Sequence, residues 1–320
     1  MKILDFVQPL KEKKMPLGRK KIKKLGTLKP YYAEATPFVW HDELYLFEWV
    51  RSDEWTHNGN EVGYYHIVRA DDGEEVSKFG NHHAFGCCYE ENGTVYVHGV
   101  RGSSGWTNQV DVFWSDDMVH WQMRPAFTVP DDMFVFNTSV CKDDDGYVMA
   151  IEVGTENGSH PVIGCNYTNV YARSKDLFNW ELLPMDTYIF TPEQYSACPS
   201  IRYFNGYYYI IFLAYAPFFR LMPYIVRTSD LETYEIGHVN PIMMPDDDDK
   251  KIPYPERLTQ EEINYIENAF DINNSDVDLC EYKGKTVFTY AWGNQNGKEF
   301  LGMAEYDGTM QEFCESCFFD

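Results

Sequence analysis

The chain has 320 residues, a formal charge of -23, and 24 Tyr, 21 Phe and 8 Trp. The acidic balance excludes nucleic acid, whose phosphates need a basic footprint, and disfavours polyanionic ligands. No apolar stretch approaches the ~20 residues that span a bilayer. With no apolar leader at Met1–Phe6 and eight cysteines read as thiols, a cytoplasmic protein without membrane attachment is expected.

Residues 1–30 read as a basic N-terminal arm, with Lys11, Lys13, Lys14, Arg19, Lys20, Lys21, Lys23, Lys24 and Lys29. Such an arm is either solvated or laid on an acidic surface of its own or a neighbouring subunit, the latter a route to a homo-oligomer. From Tyr31 onward the pattern is that of strands. Five hairpins follow one another, each with an apolar strand, a turn and a second strand. Their turns are His41-Asp42-Glu43, Glu91-Asn92-Gly93, Asp144-Asp145-Gly146, Asn205-Gly206 and Lys283-Gly284. Asn-Gly and Asp-Gly between alternating strands are strong hairpin signals because these residues tolerate positive φ.

A second phrase recurs between the hairpins. Ser115-Asp116-Asp117-Met118-Val119-His120-Trp121 is its clearest copy, Ser174-Lys175-Asp176-Leu177-Phe178-Asn179-Trp180 the second, and Ser229-Asp230-Leu231-Glu232-Thr233-Tyr234 a shorter third. Each follows an apolar strand, and the copies lie about 55–60 residues apart, a period of repeated units. The polar residues suit a turn, and the aromatic can anchor the outermost strand. Together these features predict an all-β fold over 31–320, a five-bladed β-propeller of four-stranded antiparallel blades. Residues 245–267 break the pattern. Asp246–Asp249 reads as a solvated acidic loop, and Thr259-Gln260-Glu261-Glu262 as the start of a short helix. Cys314 and Cys317 form a single pair without a partner pair, and read as the end of a strand rather than a metal site.

The hairpin unit and the Ser-x-Asp-Leu-x-x-Trp phrases resemble the five-bladed propeller glycoside hydrolases of families 43, 32 and 117, over about residues 31–310. The resemblance implies three carboxylates at one mouth of the channel. Residue by residue, the family's positions fall on Thr36, Asn137 and Ala197, none of them a carboxylate. Direct transfer of catalytic roles therefore fails, and replacements have to come from elsewhere at the same mouth.

Strand geometry supplies candidates, since side chains two apart share a face. Glu34 shares a face with Thr36, Asp276 occupies on the fifth blade the place of Thr36 on the first, and Glu152 ends an apolar strand. We expect Glu34 as base or nucleophile, Glu152 as the acid and Asp276 as the residue that orients the sugar or tunes its neighbour. Glycoside hydrolysis needs such a carboxyl pair, and close carboxyls separate their pKa values. Expected at the substrate are Glu48, Arg51, His82, His83, Asn137, Tyr195, Asp278 and Trp292, with Trp106 another stacking platform. No cofactor or metal is expected, although the oxygens of Asn273–Asp278 could hold a structural divalent cation. The expected activity is hydrolysis of a short neutral oligosaccharide or glycoside. Its rivals are a sugar-binding propeller without hydrolysis and a glycoside phosphorylase resembling family 130, which needs a phosphate-binding cluster.

Overall fold

The computed structural model describes residues 20–52, 61–103, 106–156, 158–165, 167–186, 195–216, 220–294 and 298–318. Four antiparallel sheets are each built from consecutive strands, innermost first. Blade 1 contains β2 (Ala35–Trp40), β3 (Glu43–Val50), β4 (Tyr64–Arg69) and β5 (Glu75–Phe79). Blade 2 contains β6 (His83–Glu91), β7 (Thr94–Arg101), β8 (Gln109–Ser115) and β9 (Gln122–Thr128). Blade 3 contains β10 (Phe134–Lys142), β11 (Tyr147–Gly154), β14 (Thr168–Ser174) and β15 (Trp180–Leu182); a small hairpin, β12 (Ser159–His160) and β13 (Gly164–Cys165), interrupts it. Blade 4 contains β16 (Ala197–Phe204), β17 (Tyr207–Ala216), β18 (Arg220–Thr228) and β19 (Glu235–Ile236).

Blade 5 joins the two ends of the chain. β20 (Asn273–Tyr282), β21 (Lys285–Gly293) and β22 (Glu299–Tyr306) are completed by β1 (Lys23–Pro30), antiparallel to β22. The end of the stretch read as a basic arm is thus an outermost strand; residues 1–19 lie outside the described residues. Charge complementarity seats it. Lys24 is buried and donates to Asp249 at 2.6 Å, Asn274 at 2.9 Å and the Met244 carbonyl at 2.6 Å. Asp249, in the acidic run read as solvated, is fully buried and also accepts from Tyr290 at 2.7 Å. A buried carboxylate needs such partners, because desolvation without them is costly. The inserted helix is present as Gln260–Glu267, capped by Thr259 and Glu262 as their spacing predicts. Cys314 and Cys317 are buried on and just after a helix, Met310–Ser316, instead of ending a strand.

The hairpin turns use left-handed backbone where the sequence expects it: His41 and Asp42 at φ 50 and 64, Asn92 and Gly93 at 53 and 88, Asn205 and Gly206 at 51 and 82. The recurring phrase is a side-chain-closed turn. Asp117 accepts from the amides of Val119 and His120, Asp176 from Phe178 and Asn179, and Asp230 from Glu232 and Thr233. Its aromatic also bolts each blade to the one before. Trp121 stacks on Phe79 at 3.8 Å, Trp180 donates to His98 at 3.2 Å, and Tyr234 donates to Tyr171 at 3.2 Å. Among the described residues no helix is long and apolar enough to cross a membrane.

Candidate active site

Four of the five innermost strands carry the same defect near one end. Two residues stand opposite one at Phe85-Gly86 in β6, Phe136-Asn137 in β10, Cys198-Pro199 in β16 and Asp276-Val277 in β20. Such a β-bulge re-aims a side chain that regular alternation would send elsewhere. Phe85, Cys198 and Asp276 take φ values of 52, 48 and 48 there. In blade 1 the pairing of β2 is regular, and Glu34 lies just before it. The result is a ring at one mouth of the channel, with Glu34, Asn137, Cys198 and Asp276 lining both an outer cavity and a narrow neck below it.

The outer cavity has about 230 Å³ of free space. Four carboxylates line it, Glu34, Glu152, Asp276 and Glu299, with the guanidinium of Arg51 among them. Phe85, Trp106, Phe136, Tyr167 and Tyr195 form the aromatic wall. The neck has about 30 Å³, space for a couple of waters, and is lined by Thr36, Thr138 and Asp278 among others.

Each carboxylate is held differently. Glu34 accepts from Arg51 Nη2 at 2.9 and 3.0 Å and from Nε at 3.3 Å. Burial pushes its pKa up to about 7 against the pull of Arg51, with Asp276 and Glu299 adding repulsion. Among the described residues Glu152 has no such ion pair; its Oε2 accepts from the Cys198 amide at 2.9 Å and from Asn137 Nδ2 at 3.0 Å. Burial raises its pKa to about 7, more than these two bonds lower it. The Cys198 thiol, hydrogen-bonded to Asp276, is pushed far up by burial and by the charges of Asp276 and Glu152. Glu34 and Glu152 therefore both stand near neutrality, where a carboxyl can give or take a proton.

Three residues expected to carry chemistry, Glu34, Glu152 and Asp276, thus line one cavity, together with Arg51, Asn137, Tyr195 and Trp106 from the wider set. Others lie elsewhere. Glu48 is fully buried against Lys29 (2.6 Å) and His66, where β1 meets blade 1. Trp292 is 1% exposed, stacked on Phe300 and donating to Thr27, so it offers no platform. His83 is buried against Asp111 at 2.9 Å, and Asp111 also accepts from Arg101. His82 is exposed beside it and lines no part of this cavity. Asp278 faces the neck, paired with Arg202 at 2.6 Å and Ser200 at 2.8 Å. In the run expected to offer a cation its oxygens, Asn273 accepts from Leu221 N and Asn274 from Lys24. Of the family-implied positions, Thr36 faces the neck, and Ala197 is buried while its neighbour Cys198 faces the cavity. Sequence reading missed Glu299, Tyr167, Phe85 and Phe136. Glu299 opens β22, the third strand of blade 5, where no hairpin signal marks it.

The architecture is that of a five-bladed β-propeller, the fold on which several glycoside hydrolases are built. Solved structures that match it include a glycoside hydrolase (13% identical, TM-score 0.63, covering 91% of this chain and 93% of that one). The catalytic domain of a family 62 α-L-arabinofuranosidase from Coprinopsis cinerea matches at 10% identity and TM-score 0.60, over 90% and 97% of the two chains. A family 43 endo-arabinanase from Bacillus licheniformis matches at 12% and 0.55, over 88% and 96%. At these identities the likeness is one of fold. No protein-family model matches the sequence, and no curated protein does.

Proposed function

We propose that the chain is a glycoside hydrolase acting on the terminal unit of a short neutral oligosaccharide or glycoside. The observation that carries this reading is the meeting of Glu34, Glu152 and Asp276, from three blades, in one aromatic-walled cavity. Glu152 is the proton donor: it is buried, bonded by neutral donors, and shifted towards its protonated form. Glu34, whose carboxylate form Arg51 favours, is the base or nucleophile. Asp276, between them in the ring, orients the sugar or tunes its neighbours. The free space falls below the ~300–1,000 Å³ of drug-sized ligand sites, which supports a terminal unit over a long chain. Tyr195 and Trp106 supply faces on which a sugar ring can stack.

Aryl glycosides and short oligosaccharides, assayed with and without phosphate, test the proposal on wild type, Glu34→Gln and Glu152→Gln. We expect phosphate-independent release of sugar by wild type and a loss of roughly 10²–10⁴-fold in each variant. Activity unchanged in both variants refutes the residue assignment. Sugar binding without turnover by wild type makes the chain a binding propeller, and phosphate-dependent products make it a phosphorylase.

A further inference from the structure

Glu299 has no part in the roles above, yet it stands where the ring of blades closes. It opens β22, and its carbonyl accepts from the Tyr31 amide at 2.9 Å, on the link between blade 5 and blade 1. Its carboxylate, 10% exposed, is paired with Arg51 Nη1. Arg51 follows β3 of blade 1 and offers its other edge, Nε and Nη2, to Glu34. One guanidinium is therefore shared between carboxylates from two blades.

We propose that Glu299 is a positioning residue, which anchors Arg51 from blade 5 so that its Nε–Nη2 edge meets Glu34 and its charge is divided between two acids. The proposal rests on the reading of Glu34 as base or nucleophile. Two physical arguments support it. An arginine side chain carries about 2 kcal/mol of rotamer entropy, and a second anchor on another blade removes that freedom before Glu34 is engaged. An opposite charge within a few ångströms favours the ionised carboxyl. An undivided guanidinium would hold Glu34 as a fixed ion. Shared with Glu299, it leaves burial and Asp276 able to keep Glu34 close to neutrality. The arrangement also ties the site to ring closure, because the Glu299 carbonyl accepts from the Tyr31 amide just beyond the last β1–β22 pair, Pro30 with Phe300.

The test compares wild type, Glu299→Gln and Glu299→Asp, the last retaining the charge on a shorter arm. Side-chain carboxyl ¹³C titration follows the Glu34 resonance, identified by its absence from Glu34→Gln. The pH profile of kcat/KM follows the same ionisation on whichever aryl glycoside wild type cleaves. In Glu299→Gln the Glu34 titration and the acid limb of the profile should move down by about one pH unit, with Glu299→Asp between it and wild type. A titration that stays at its wild-type position in folded Glu299→Gln overturns the proposal, as does an equal shift in both variants. If no glycoside is cleaved, the catalytic reading fails, while the carboxyl titration still decides whether Glu299 governs Glu34 through Arg51.

Discussion

Replacing Glu152 with Gln should stabilise the protein above neutral pH while lowering turnover roughly 10²–10⁴-fold. Glu152 is 3% exposed, and its pKa is raised by burial from the ordinary value of 4.5 to about 7. Since the folded chain holds this proton more tightly, the unfolded chain releases it first as pH rises. Wild-type stability therefore falls through the window from about 4.5 to about 7, and the deficit persists above it. At about 1.4 kcal/mol per pH unit, that gap corresponds to at most roughly 3 kcal/mol. Glutamine has no proton to lose, and its amide oxygen can accept from the Cys198 amide and Asn137 as the carboxylate does. Urea denaturation of both proteins at pH 4.5, 6 and 8 measures the effect. The variant should match wild type within about 0.5 kcal/mol at pH 4.5 and exceed it by about 1–3 kcal/mol at pH 8. A difference that does not grow with pH, or grows in favour of wild type, refutes the argument that burial governs this carboxyl.

Further outcomes follow from other contacts. Lys24→Met leaves Asp249 buried without its cation, and should cost about 3–5 kcal/mol in urea denaturation. Trp180→Phe removes the indole donor shared by the Leu177 carbonyl and His98, and should lower stability by about 1–2 kcal/mol with the site intact. Trp106 is 45% exposed on the cavity wall, so Trp106→Ala should raise KM by about tenfold and change kcat little, as expected for a stacking surface that binds ground and transition states alike.

Much of the architecture was legible because its signals are local. The Asn92-Gly93 and Asn205-Gly206 turns need only positive φ, and the Asp117 and Asp176 turns close within three residues. The candidate carboxylates were reached by a rougher argument, strand parity at the channel mouth, and parity explains both its successes and its failures. Strict alternation places Asn274, Asp276 and Asp278 on one face of β20. The bulge at Asp276-Val277 interrupts the alternation: Asp276 lines both cavity and neck, Asp278 the neck alone, and Asn274 turns to Lys24. Cys198 replaces Ala197 at the cavity in the same way. In blade 1, Glu48 stands two residues before the end of the second strand, as Glu152 does in blade 3. It turns instead to Lys29 and His66, and β2 opposite it has no bulge.

By itself, then, the sequence determined the number of blades, their hairpins and the turns that bolt their outer strands, because each depends on residues close together in the chain. Tertiary structure alone decided which inner strands are bulged and where, and so which side chains face the axis. It also decided how the ring closes. Lys24 and Asp249 are 225 residues apart, and neither a lysine in a polar stretch nor an aspartate in an acidic run looks buried until its partner arrives. The same closure brings Glu299 to Arg51 and Arg51 to Glu34, so the electrostatics of the cavity depend on where the two ends of the propeller meet.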